Sequence, residues 1–211
     1  MYLNEIAQGV EEGQAKRVAS LVSQAVEEKT DVKVILDSLL DGMSKVGKKF
    51  KNNEIFVPEV LISARALNYG LDIIRPILTD TGVKPIGKAV IGTVQGDLHD
   101  IGKNLVKMML VGAGFEVIDI GVDAEAGAFV DKACEADADF ICMSALLTST
   151  MAHMKSVIDL LCERGLRDRF IVMIGGAPVT ARYAEEIGAD HYTADAATAA
   201  ELAREVLGKK S

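Results

Sequence analysis

The stretch Asp97-Leu98-His99-Asp100-Ile101-Gly102 gathers residue types that can hold a metal ion. An imidazole suits a transition metal of intermediate softness, and a ligating histidine usually gives its other ring nitrogen to an acceptor. Asp97, two residues before His99, can supply that acceptor; on a plainer reading it forms a turn after Gly96. Gly102 opens the next helical stretch, where a missing side chain lets something bulky approach or simply starts a helix flexibly. Lys103 and Asn104 can meet a phosphate at that helix terminus, or stand in solvent. Forty-one residues lie between Gly102 and Ser144-Ala145-Leu146, and Thr148, Ser149 and Thr150 follow at once. Such hydroxyls serve either a ligand or an ordinary helix cap. After Leu146, 28 residues intervene before Gly175-Gly176-Ala177, a strand end without bulk. It reads as a tight turn or as the floor of a channel for a slender ligand tail.

The elements around these residues follow two grammars. From residue 1 to about 78 the pattern is helical: Val18, Leu21, Val22, Ala25 and Val26 recur at i, i+3, i+4 spacing, and Val34, Ile35, Leu39, Leu40 and Met43 continue it after the capping residues Thr30 and Asp31. Pro58 suits the first turn of a last helix carrying Val60, Leu61, Ala64, Leu67 and Leu71. Three or four helices on short turns predict a small antiparallel bundle. Thr79 to Lys88, with Gly82, Pro85 and Gly87, reads as a linker. Beyond it, strand-like segments at Ala89–Val94, Glu116–Ile120, Phe140–Ser144, Phe170–Ile174 and near His191 alternate with helical patterns. That alternation predicts a five-stranded, doubly wound parallel sheet, an α/β fold covered on both faces. In a flavodoxin-like order 2-1-3-4-5, the ends of the first and third strands flank the crevice where ligands bind. The motif pieces then surround one site.

Composition narrows the function. The chain has 211 residues, 49% of them hydrophobic, so two small domains with real cores are expected. A net charge of -8 argues against nucleic acid as a main partner. Neither a secretory leader nor a bilayer-spanning apolar run is visible, so a cytoplasmic protein without a membrane partner is expected. Cys134, Cys142 and Cys162 lie in apolar segments and read as three buried free thiols.

In this order and spacing, the three pieces resemble the Asp-x-His-x-x-Gly … Ser-x-Leu … Gly-Gly signature of cobalamin-binding modules. That signature is shared by methionine synthase, base-off mutases and the corrinoid proteins of methyltransferase systems. The helical half adds Gly42-Met43-Ser44-Lys45-Val46-Gly47-Lys48-Lys49-Phe50 and Glu54-Ile55-Phe56-Val57-Pro58-Glu59-Val60-Leu61-Ile62-Ser63-Ala64-Arg65-Ala66-Leu67. These runs resemble the helical cap of methionine synthase and of the stand-alone corrinoid proteins of the methanol, methylamine, glycine betaine and methoxy-aromatic systems.

The resemblance implies a helical cap with linker over residues 1–85 and a cobalamin-binding, Rossmann-like domain over 86–211. It implies cobalamin or a related corrinoid, bound base-off, with His99 on cobalt, Asp97 orienting His99 and Thr150 extending the relay. Gly96, Leu98, Asp100, Gly102 and Leu146 would complete the binding loops, and Ser144 and Thr148 would line the tail pocket with Gly175 and Gly176. Phe50 and Val57 would shield the upper face; Val57 stands where relatives often have leucine. The function implied is a non-catalytic methyl carrier. A substrate-specific methyltransferase would load cobalt as Co(I), giving methylcobalamin. A second methyltransferase would pass the methyl group to tetrahydrofolate or coenzyme M, and a reductive activase would rescue oxidised cofactor. Three rivals stand beside it: a cobalamin-binding regulatory or sensor module, a mutase small subunit, and a flavodoxin-like signalling domain that binds no corrinoid.

Overall fold

The computed structural model describes residues 2–208, so residue 1 and residues 209–211 of the expected domains lie outside it. The chain forms two compact units. One runs up to Pro85 and takes in Gly112–Gly114; the other runs from Ile86 without those three residues.

The first unit contains α1 (Tyr2–Glu11), α2 (Ala15–Glu27), α3 (Val32–Lys51) and α4 (Val57–Thr81). Local chemistry sets the helix starts. The Asp31 side chain accepts from Lys33 N at 2.8 Å and caps α3. At the start of α4, Pro58 occupies the first turn, where its missing N–H costs nothing, and Glu59 Oε2 reaches back to Phe56 N at 3.1 Å. The Phe-Val-Pro-Glu run is therefore a helix start. Ser63, buried in α4, donates to the Glu11 carbonyl oxygen, and exposed Arg65 lies 5.5 Å from the centroid of the Tyr69 ring. The amphipathic stripes bury Val18, Val22, Ala25, Ile35, Leu39, Val60 and Leu67, but leave Val34 and Leu61 exposed. Helix α4 continues through Pro76 to Thr81, so the linker is shorter than the sequence reading of Thr79 to Lys88. Pro76 removes only the bond that its own N–H would make to the Asp72 carbonyl, and the helix runs on past it.

The second unit alternates β1 (Lys88–Thr93), α5 (Ile101–Gly112), β2 (Glu116–Asp119), α6 (Ala126–Ala136), β3 (Phe140–Ser144), α7 (Ala152–Glu163), β4 (Ile171–Gly175), α8 (Ala181–Ile187), β5 (His191–Tyr192) and α9 (Ala196–Gly208). The strands pair in parallel in the order β2-β1-β3-β4-β5, as the alternation predicts. Val90, Ile141, Met143, Val172 and Ile174 face Phe129 and Val130 of α6 and Val157 and Leu161 of α7. The alternate residues Ala89, Ile91, Phe140, Cys142 and Met173 are buried too, as a sheet covered on both faces requires. Sequence reversal at β1 and β3 puts the ends of these two strands side by side, with Thr93 in register with Ser144 and Ser144 with Gly175.

The cysteines depart from expectation. All three are free and Cys142 is buried, but Cys134 is half-buried and Cys162 is exposed. Cys162 lies in the last turn of α7 one position past buried Leu161, which turns it off the apolar stripe. Among the described residues, no helix is long and apolar enough to cross a membrane.

Candidate functional site

Asp97 is the centre of the cluster at the β1/β3 strand ends. It is 0% exposed and its two carboxylate oxygens accept five hydrogen bonds. Oδ1 takes His99 N at 3.1 Å and His99 Nδ1 at 2.6 Å. Oδ2 takes Leu146 N at 2.7 Å, Leu147 N at 3.1 Å and Thr150 Oγ1 at 2.9 Å. Burial alone would push this carboxyl up. The bonds from the His99 ring and from the Leu146, His99 and Leu147 amides outweigh it and hold the pKa well below the usual carboxylate range. Asp97 is thus a fixed negative charge.

A fixed acceptor at Nδ1 sets the tautomer of His99. In the neutral ring this bond puts the proton on Nδ1 and leaves the Nε2 lone pair free, on a side chain that is 51% exposed. Thr93 Oγ1 also donates to the His99 carbonyl oxygen at 2.9 Å, so the loop is held by backbone as well as by ring.

The surroundings of this imidazole are apolar and open. Leu98 is 71% exposed and Ile101 74%, and Leu146 and Leu147 are exposed beside them through their amide bonds to Asp97. Exposed apolar groups clustered at one place mark a binding surface. A Cβ on Gly102 would meet nothing within 4 Å, so no contact inside the protein requires glycine at the start of α5. The site therefore combines an outward nitrogen ligand, an apolar rim and free space above a helix start. These features fit a large, flat, metal-centred ligand.

The structure brings Gly96, Asp97, Leu98, His99, Asp100, Gly102, Ser144, Leu146, Thr148 and Thr150 to the ends of β1 and β3. Thr150 is buried on Asp97, Ser144 is half-buried, and Thr148 is exposed. Gly175 and Gly176 follow on the neighbouring strand end. A Cβ on Gly176, where φ is +131°, would lie 1.9 Å from the Ala145 carbonyl oxygen, so backbone packing demands glycine there. Just before α5, Asp100 accepts from Asn104 Nδ2 at 2.9 Å through its side chain and from Asn104 N at 2.8 Å through its carbonyl oxygen. Phe50 and Val57 belong to the helical unit: Phe50 lies near the end of α3 and Val57 opens α4, both half-buried, with a turn between them. Phe56 in that turn is 66% exposed, a residue that the periodicity did not single out.

Lys103 corrects the sequence reading. It is neither solvated nor turned to a phosphate position, but buried, with Nζ 2.7 Å from both oxygens of Asp119 and 2.8 Å from Asn104 Oδ1. Lys107 adds a bond to Asp119 at 3.0 Å. Although burial acts the other way, the two ammonium groups and the Gly121 amide draw the Asp119 pKa down.

Comparison with known proteins covers both halves of the chain. A family model described as "B12 binding domain" matches residues 87–203, and a second of that description matches residues 2–75. A corrinoid protein of Desulfitobacterium hafniense (strain Y51) is 44% identical over 211 residues, 98% of each chain. Dimethylamine corrinoid protein 3 of Methanosarcina acetivorans is 42% identical over 205 residues, 97% of this chain and 96% of that one. Among solved structures, the methanol:cobalamin methyltransferase complex of Methanosarcina barkeri contains a chain with a TM-score of 0.88 and 28% identity. The match covers 98% of this chain and 80% of that one.

Proposed function

We propose that this chain, which belongs to the B12-binding corrinoid proteins of methyltransferase systems, is a methyl carrier that takes a methyl group from one methyltransferase and presents it to another. The observation that carries the reading is the 2.6 Å bond from His99 Nδ1 to buried Asp97, which leaves Nε2 as an outward ligand inside an apolar rim. When bound, a corrinoid supplies the cobalt that receives and releases the methyl group; binding, orientation and access fall to the protein.

In this reading His99 would hold the cobalt through Nε2 in place of the corrinoid's own base. Asp97 fixes the ring in the ligating tautomer and balances the metal's charge, as outer acceptors of metal-bound imidazoles do. The His99 ring and the Leu146, His99 and Leu147 amides keep that carboxylate ionised, and Thr150 Oγ1 donates to its Oδ2. Leu98, Ile101 and Leu146 exclude water from the lower face, and Gly102 leaves room for the ring edge. Ser144 and Thr148, with Gly175 and Gly176, line the path of the nucleotide tail. Phe50 and Val57 of the helical unit (residues 1–85) would shield the methyl group and would have to clear it for each partner. The cobalamin-binding domain is residues 86–211.

The donor to test first is a methylated amine, on the strength of the dimethylamine relative; the acceptor is tetrahydrofolate or coenzyme M. Cobalamin reconstitution followed by gel filtration and an absorbance spectrum tests binding. Incubation with a methylamine methyltransferase and a second methyltransferase tests carriage. Retained stoichiometric colour and a methylated acceptor are expected. Colour lost on filtration would overturn the reading, and colour without transfer would point to a sensor.

A further inference from the structure

The loop that bears His99 is held by the Asp97 carboxylate, by the Thr93 hydroxyl and from one further direction. This last hold comes from the loop after β2. Asp123 Oδ1 accepts from Gly96 N at 2.7 Å, and Asp123 N donates to the Asp97 carbonyl oxygen at 3.0 Å. One residue thus grips the chain on both sides of the Gly96–Asp97 peptide. Asp123 does so with φ at +53°, a left-handed conformation that asparagine and aspartate adopt more readily than other side chains. Its own loop is anchored on both flanks. Gly121 N bonds Asp119 Oδ1 at 2.9 Å, and Asp119 is held by buried Lys103. Ala124 N donates to the Thr93 carbonyl oxygen and Thr93 N to that of Gly121, and the Thr93 hydroxyl itself ends on the His99 carbonyl.

We infer that Asp123 is a positioning residue for the cobalt ligand. Its acceptor oxygen and left-handed backbone hold the Gly96–Asp97 turn at the height from which His99 Nε2 meets the metal. The inference rests on the reading of His99 as the lower axial ligand. Asp123 touches no reacting atom and is exposed, so its side chain contributes nothing to the core. Without its grip, the Asp97 carboxylate stays anchored to Leu146, Leu147 and Thr150, whereas the backbone feeding it gains freedom. The imidazole then samples heights and tilts at which ligation is weaker.

Three variants separate the two contributions. Asp123→Asn keeps an acceptor and tolerates the left-handed backbone. Asp123→Gly keeps the backbone but loses the acceptor. Asp123→Ala loses both. Each is titrated with a corrinoid that lacks its own base, and the nitrogen superhyperfine pattern of the Co(II) form is recorded. Amide exchange at Gly96 is followed in the cofactor-free protein. Asp123→Asn should match the wild type in all three. Asp123→Gly should bind about fivefold more weakly, the equivalent of one ordinary hydrogen bond, with a reduced nitrogen pattern and faster exchange at Gly96. Asp123→Ala should be at least as impaired. A wild type with the pattern and an Asp123→Gly variant equal to it would overturn the positioning role alone. An Asp123→Asn variant as weak as Asp123→Gly would overturn it as well, because charge and not the acceptor would then matter. A wild type without the pattern would overturn the His99 assignment and this inference with it, while Gly96 exchange would still report the grip.

Discussion

Replacing Asp97 by asparagine is the smallest change that separates a charge from its shape. The carboxylate accepts five donors and is buried completely, so a carboxamide cannot satisfy the same set. Turned toward Leu146 and Leu147, the NH2 group faces two amide donors and the Thr150 hydroxyl. Turned toward His99, it faces one amide and a ring nitrogen, which is the cheaper placement. Three donors then bond a neutral acceptor where they had a charged one, and His99 N loses its acceptor, at about 1 kcal/mol each or about 4 kcal/mol together. The domain should still fold, with its melting temperature lowered by about 15 °C or more.

The amide would also donate to Nδ1 and so move the imidazole proton to Nε2, the nitrogen proposed to ligate. Affinity for a base-free corrinoid should fall by about 10- to 100-fold. Acid should narrow the stability gap between the two proteins. The Asp97 pKa is lowered in the folded state, so its contribution is complete above the ordinary carboxylate value and is lost as pH falls below it. The five hydrogen bonds on the carboxylate make this a costly change for a fold that still forms. Thermal melts of the cofactor-free protein at pH 7 and pH 3, beside corrinoid titrations, are the assay. A variant that melts like the wild type and binds the base-free corrinoid as tightly would refute the reasoning.

Other outcomes follow from single residues. Gly102→Ala should raise the melting temperature of the cofactor-free protein slightly, by about 0.5 kcal/mol of helix propensity, because its Cβ meets nothing. It should weaken corrinoid binding several-fold, and equal affinity would show that the space above Gly102 is unused. Phe50→Ala should speed photolysis of bound methylcobalamin with only a modest loss of stability for a half-buried ring; a large fall in melting temperature with unaltered photolysis would return Phe50 to the core. A thiol reagent should label Cys162 at once and Cys142 only on unfolding, read by mass spectrometry of peptides. Burial pushes the Cys142 thiol up to about 12, so its share of stability is intact below the ordinary thiol value near 8.5 and is lost as pH rises toward 12. Cys142→Ala should flatten the alkaline limb of the stability curve; an unchanged limb would contradict this.

Much of the architecture was legible because it is written in periodicity. Alternating apolar strands and helical stripes predict the five parallel strands, and the strand order then brings His99, Ser144 and Gly175 to one crevice. What stayed hidden depends on backbone groups and on register. The Leu146 and Leu147 amides that hold Asp97 have no sequence signature, since every residue carries an amide. Lys103 looked free because its partner, Asp119, comes close only through the pairing of β1 with β2. Asp123 reads as one more acidic loop residue until its left-handed backbone and two contacts are seen. Gly176 suggested a ligand floor, and Ala145 supplies a second reason for it. Cys162 belonged to an apolar run, and one helical step of about 100° carries it to the surface.

The proposed function stands on His99 Nε2 as the cobalt ligand. Its most direct test is electron paramagnetic resonance of the Co(II) protein, reconstituted with a corrinoid lacking its own base and grown with either natural or nitrogen-15 histidine. The account predicts triplet superhyperfine splitting that becomes a doublet on labelling and disappears in His99→Ala. Splitting that is absent in the wild type, insensitive to the label, or retained in His99→Ala would contradict it.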